Sequence, residues 1–230
     1  EMKTCQAPDP NTKRPSFQAP PGACDAHCHV FGPAARFPYA PDRTYTPPDA
    51  PFETFEELQT ILGLSRAVMV QATCHGTDNA ATLDAIARSG GRYRGVAMVD
   101  ETFTDKDYEA LDKGGIRGVR FSFARHLGGA PDFRKVARIA DRIRPFGWHL
   151  VLYIEAEDVV ENAKTLAGFS MPVVIDHMGR VKTGNGLAQK PFQMLLDLAR
   201  GEDFWVKICG PERISTGGAP SDCAMPENAG

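Results

Sequence analysis

Seven short apolar runs, with a segment of helical periodicity between each and the next, leave few folds open to this chain. The runs lie at 24–30, 66–72, 94–99, 116–123, 148–154, 172–177 and 203–209. Helical patterning fills 54–63, 79–89, 104–113, 131–145, 157–167 and 190–200; the first of these opens on a cap signal, Thr54 with Glu57, and stops at Gly63. Runs such as Trp148-His-Leu-Val-Leu-Tyr-Ile154 are nearly continuous in apolar residues, so both faces of each strand need cover. Parallel sheets flanked by helices supply that cover. No Gly-rich dinucleotide turn follows any strand, which favours a (β/α)8 TIM-type barrel over a doubly wound sheet. After Arg213 the chain shows neither an eighth strand nor C-terminal helices. The expectation is an extended, proline-rich arm at 1–22 and a C-terminally incomplete barrel at 23–230, whose open edges would dimerise or take an eighth strand from sequence beyond this chain.

Composition narrows the partners. A chain of 230 residues with 42% hydrophobic content can build one substantial core. The net charge of −3 is spread without a basic stripe, which argues against nucleic acid or a membrane surface and for a small molecule. No apolar run approaches the roughly 20 residues of a membrane span, and no signal core opens the chain, so a cytoplasmic location is expected. Cys5, Cys24, Cys28, Cys74, Cys209 and Cys223 form no C-x-x-C pair and read as reduced thiols.

The chemistry concentrates at strand ends. In an extended run alternate side chains share a face, so Asp25, His27 and His29 point one way, and Gly32-Pro33 ends the strand just beyond them. A loop at 33–53, rich in proline and aromatic residues and containing Tyr45, leaves from that lip and reads as a lid. In a barrel of this class the reacting groups lie at the C-terminal ends of the strands. Those positions hold His27, His29, Thr73, His75, Arg120, Ser122, Arg125, Tyr153, Glu155, His177, Lys207 and Arg213. Arg120, Arg125 and Arg213 suggest a substrate with more than one carboxylate, because guanidinium pairs with carboxylate in a fork. His27, His29 and His177 could hold zinc or could polarise a carbonyl without metal. For a water-activating base only Glu155 offers itself, since Asp176 has the opposite strand parity to His177 and should face the helices.

Four segments then carry a resemblance. Asp25-Ala-His-Cys-His-Val-Phe-Gly-Pro33, Val70-Gln-Ala-Thr-Cys-His-Gly-Thr-Asp-Asn-Ala-Ala-Thr-Leu-Asp-Ala-Ile-Ala87, Gly118-Val-Arg-Phe121 and Val174-Ile-Asp-His-Met-Gly-Arg180 resemble the 2-pyrone-4,6-dicarboxylate lactonase family of the amidohydrolase superfamily. The resemblance implies a (β/α)8 barrel that hydrolyses this lactone to 4-carboxy-2-hydroxymuconate or its keto tautomer, 4-oxalomesaconate, in protocatechuate and lignin-derived aromatic breakdown. It implies catalysis by His27, His29, His177 and Tyr153, and substrate contacts from Tyr45, Thr73, Arg120 and Arg213. A second family arginine falls at His126, with Arg125 beside it. The resemblance also implies that no metal is used, Tyr153 standing where metal-dependent relatives place a ligand. The family's water-activating Asp, in a Gly-Thr-Asp-Trp-Pro-His strand, has no counterpart in residues 214–230. The competing expectations are a zinc-dependent hydrolase or decarboxylase of the same superfamily and an inactive truncated barrel.

Overall fold

In the computed structural model, which describes residues 3–215, every expected apolar run contains a strand. The chain divides into two compact units. One contains Glu1–Arg120 with Pro145–Gly147, the other Phe121–Arg144 with Trp148–Gly230. Residues 216–230, part of the stretch in which no eighth strand was expected, lie outside the described residues.

The first unit is built on parallel strands in the order β2 (Cys24–Cys28), β4 (Arg66–Val70), β5 (Tyr93–Ala97) and β6 (Ile116–Ser122), the last running on into the second unit. Met69, Val70, Tyr93, Val96, Ile116 and Val119 are buried to 1% exposure or less, so neighbouring residues along a strand are covered on opposite faces, as continuous apolar runs require. Helix α1 (Phe52–Leu62) begins two residues ahead of the expected cap, with Pro51 at its N-cap and no side-chain capping bond. Phe52 and Phe55 both lie against the Tyr93 ring, at 6.2 and 5.7 Å, and this aromatic burial outweighs the Thr54 signal. Helix α2 (Ala80–Arg88) follows β4, and α3 (Asp105–Lys113) opens on a full capping box between Thr104 and Asp107.

The arm and the loop have structure that periodicity did not show. Strand β1 (Lys3–Thr4) pairs in parallel with β3 (Tyr45–Thr46), which joins the start of the arm to the loop. The loop is fastened at Phe31 and Ala50, whose backbones exchange two hydrogen bonds of 2.9 and 2.8 Å, and at Ala40, whose N–H donates to Cys74 O at 2.8 Å.

The second unit carries β7 (His149–Tyr153), β8 (Val173–Ile175) and β9 (Phe204–Val206), also parallel and in that order. Phe123 N–H donates to Tyr153 O at 2.7 Å, which brings the chain leaving β6 to the end of β7. Helix α4 (Phe133–Ile143) buries Val136, Ile139, Ala140 and Ile143, the spacing of one helical face. Val136, Ile139 and Ile143 each contribute about 1.5–3 kcal/mol on burial. Helices α5 (Ala156–Ala167) and α6 (Lys190–Leu198) complete this unit. No helix among the described residues is long and apolar enough to cross a membrane.

Candidate active site

In the first unit the strand β2 carries His27, and His29 follows one residue past its end. Its pairing with β4 shifts register between Asp25 and Cys28, and the Asp25 carboxylate accepts the His27 backbone N–H at 3.0 Å across this irregularity. His29 Nδ1 lies 2.7 Å from Val70 O, an acceptor, so that nitrogen carries the proton and Nε2 presents a lone pair. His27 Nε2 lies 3.3 Å from that lone pair. The expected neighbours Tyr45 and Thr73 are also brought together: Thr73 Oγ1 donates to the Tyr45 hydroxyl at 3.3 Å. Burial pushes the Tyr45 phenol up to about 12, so it stays a neutral donor near neutral pH. Arg120, at the end of the unit on β6, is 5% exposed.

His75, a strand-end candidate by position, turns out to fasten the loop. Its Nδ1 donates to Pro38 O at 3.1 Å and its Nε2 accepts the Gly32 N–H at 3.4 Å. Both ring nitrogens are used, and burial lowers its pKa.

In the second unit His177 sits at the end of β8, 4% exposed, with its ring edge-on to Tyr153 at 4.9 Å. Arg213 Nη1 donates to His177 Nε2 at 2.9 Å. An arginine cannot accept, so Nε2 holds the lone pair and Nδ1 the proton, which points at Cys209 Sγ 3.1 Å away. Burial raises the pKa of the Cys209 thiol, and its sulfur is therefore a neutral acceptor. Arg213, His177 and Tyr153 thus form one cluster.

Three residues are placed differently from their strand positions. Arg125 pairs with Asp158 of α5 at 2.9 Å, and its side chain is 60% exposed. Glu155, the stand-in base, is held by Arg180 Nε at 2.9 Å. Asp176 is fully buried, and Lys207 Nζ stands 3.3 Å from its Oδ1. Strand parity would have turned it to the helices, but β8 ends at Ile175 and His177 takes φ +50°, so alternation stops there. Arg180 went unassigned in the sequence; its one signal was the glycine-containing turn after a strand.

The expectation that no metal is used is corrected. His27 in the first unit, and Asp176 and His177 in the second, are imidazole and carboxylate donors of the kind that suits zinc. Tyr153 is no argument against this, because its hydroxyl already accepts from Arg180 at 3.0 Å. A solved amidohydrolase from Burkholderia multivorans with bound zinc shares the fold, at TM-score 0.58 and 19% identity over 84% of this chain and 71% of that one.

Residues 24–227 match the amidohydrolase family. The chain is 44% identical over 209 residues to a 2-pyrone-4,6-dicarboxylate hydrolase of Comamonas testosteroni, covering 90% of this chain and 68% of the relative. It is 40% identical over 223 residues to a 4-sulfomuconolactone hydrolase of Rhizobium radiobacter, covering 96% and 75%. Among solved structures, a probable 2-pyrone-4,6-dicarboxylic acid hydrolase of Acinetobacter baumannii with citric acid bound superimposes at TM-score 0.76 and 27% identity, over 87% of this chain and 74% of that one. The parallel strand and helix alternation is that of the TIM-barrel amidohydrolases.

Proposed function

The chain belongs to the amidohydrolase family, and from that premise we propose that it hydrolyses the lactone ester of 2-pyrone-4,6-dicarboxylate in the breakdown of protocatechuate and lignin-derived aromatic compounds. The observation that carries the reading is the convergence of the His27 and His29 Nε2 atoms to 3.3 Å at the end of an apolar strand. Two imidazoles so placed serve a polar centre and not the core.

Water adds across the ring ester. Its oxygen joins the carbonyl carbon, the bond from that carbon to the ring oxygen breaks, and the ring oxygen leaves as an enol that tautomerises to the keto acid. His27, His29 and His177 meet the carbonyl, and the Tyr153 hydroxyl donates to oxygen as charge develops on it. Arg120 and Arg213 take the two carboxylates, with the Tyr45 hydroxyl, itself accepting from Thr73, donating beside them. Arg125 would join them only by leaving Asp158. A metal ion on histidine and carboxylate donors such as His27, or Asp176 with His177, would supply Lewis-acid polarisation and lower the pKa of a bound water. In this reading residues 23–230 belong to the barrel and 1–22 to its arm, and the enzyme works in the cytoplasm as a homodimer.

The test is direct. The purified chain is given 2-pyrone-4,6-dicarboxylate and, separately, 4-sulfomuconolactone, and ring opening is followed by loss of lactone absorbance and by NMR of the product. Turnover of the pyrone supports the reading. Turnover of the sulfonated lactone alone would move the assignment to the activity named for the Rhizobium radiobacter relative.

A further inference from the structure

Arg180 has no part in the chemistry above, yet its guanidinium ties together two residues that lie on and beside β7. Nε donates to Glu155 Oε2 at 2.9 Å and Nη1 donates to the Tyr153 hydroxyl oxygen at 3.0 Å. The Arg180 and Glu155 side chains are 21% and 14% exposed, so the pair is largely withdrawn from water. A guanidinium has no acceptor. The Tyr153 oxygen must therefore spend a lone pair on Arg180, and its own proton is directed away from Arg180.

The backbone that carries Arg180 is unusual as well. His177, Met178, Gly179 and Arg180 have φ of 50, 53, 58 and 53°, four residues in succession in the left-handed region, of which only one is glycine. Side chains with a Cβ disfavour this region, so the turn persists only where its surroundings hold it. Met178 N–H donates to Lys207 O at 3.0 Å near its start, and the double tether of Arg180 holds its far end.

We propose that Arg180 is a positioning residue for the lactone hydrolysis: by holding the Tyr153 oxygen as an acceptor it aims the Tyr153 O–H at the substrate, and by anchoring the turn 177–180 it keeps His177 beside Tyr153. The inference rests on the reading that Tyr153 meets the substrate. A buried ion pair such as Arg180 with Glu155 is weak evidence for stability alone, and a role confined to stability makes different predictions.

The experiment uses the full chain with Arg180→Met, Arg180→Lys, Tyr153→Phe and the double variant Arg180→Met with Tyr153→Phe. Arg180→Met should lower kcat about tenfold or more with KM within about threefold, because an aligned donor acts on the developing charge. In the Tyr153→Phe background the same change should alter kcat by less than about twofold, since the two residues act as one unit. Arg180→Lys should recover part of the loss, an ammonium being able to reach Tyr153 or Glu155 without matching the fork. Equal losses in both backgrounds would overturn the inference and leave the lactonase reading intact. A second readout needs no substrate: with 13Cζ-labelled tyrosine, the Tyr153 resonance, identified by its absence in Tyr153→Phe, should move in Arg180→Met. An unmoved resonance overturns the inference whatever the turnover. A wild-type chain without lactone turnover overturns the functional reading, and the catalytic part of this inference with it.

Discussion

Nε2 of His27 and Nε2 of His29 face each other at 3.3 Å with their rings at 87°, although only Cys28 separates the two residues in the chain. Because His29 keeps its proton on Nδ1 for Val70 O, its Nε2 offers a lone pair to a proton carried by His27.

Metal content tests the imidazole and carboxylate donors His27, Asp176 and His177. The purified chain is expected to bind zinc, and removal of metal by a chelator should lower lactone turnover, with recovery on adding zinc. His27→Asn and His177→Asn should each reduce bound metal in elemental analysis while circular dichroism keeps the wild-type signature. Full turnover by protein stripped to trace metal would count against it.

Arg120 is buried at 5% exposure on β6, where an unpaired carboxylate of the substrate would be costly. Arg120→Met should weaken binding of the dicarboxylate by about 2–3 kcal/mol. A pyrone monocarboxylate lacking the matching group should lose much less. Equal losses for the two compounds would mean that Arg120 supports the fold and not the substrate.

His75 predicts how stability depends on pH. Burial lowers its folded pKa below the ordinary histidine value, so the unfolded chain binds a proton more readily than the folded one. Its contribution is complete above about pH 6.5, the ordinary histidine value, and is lost as pH falls below it. Protonation would also remove the acceptor that Nε2 offers to Gly32 N–H. Urea midpoints measured at pH 7.5 and 5.5 should differ more for wild type than for His75→Gln. An identical difference in both proteins would assign the pH dependence to other groups.

Gly179 lies at φ +58° in the turn that presents His177, and a Cβ there would come within 2.8 Å of Leu195 Cδ1. Gly179→Ala should cost about 2–5 kcal/mol, the left-handed penalty of about 1–2 plus about 1–3 for repacking against α6. Thermal unfolding reads the stability loss, and kcat should fall as well because His177 and Arg180 share the turn. An unchanged melting temperature would show that the turn relaxes freely.

The amino-acid sequence determined the strand and helix alternation, the parallel class and the paired histidines at the end of β2, because these depend on periodicity and on residues close together in the chain. Motif-length segments around His27, Thr73, Arg120 and His177 were enough to indicate the family. Tertiary structure alone decided the rest. Periodicity ends where a strand ends, so the parity rule failed at Asp176 as soon as the backbone of His177 turned to φ +50°. Glu155 looked available as a base until Arg180, 25 residues further on, was found paired with it, and Arg125 looked available for substrate until Asp158 claimed it. His75 likewise resembled a site residue and proved to hold the loop through Pro38 and Gly32. In each case a charged or polar side chain at a strand end has several partners within reach. Which one it takes depends on elements tens of residues away, a choice that local sequence does not encode.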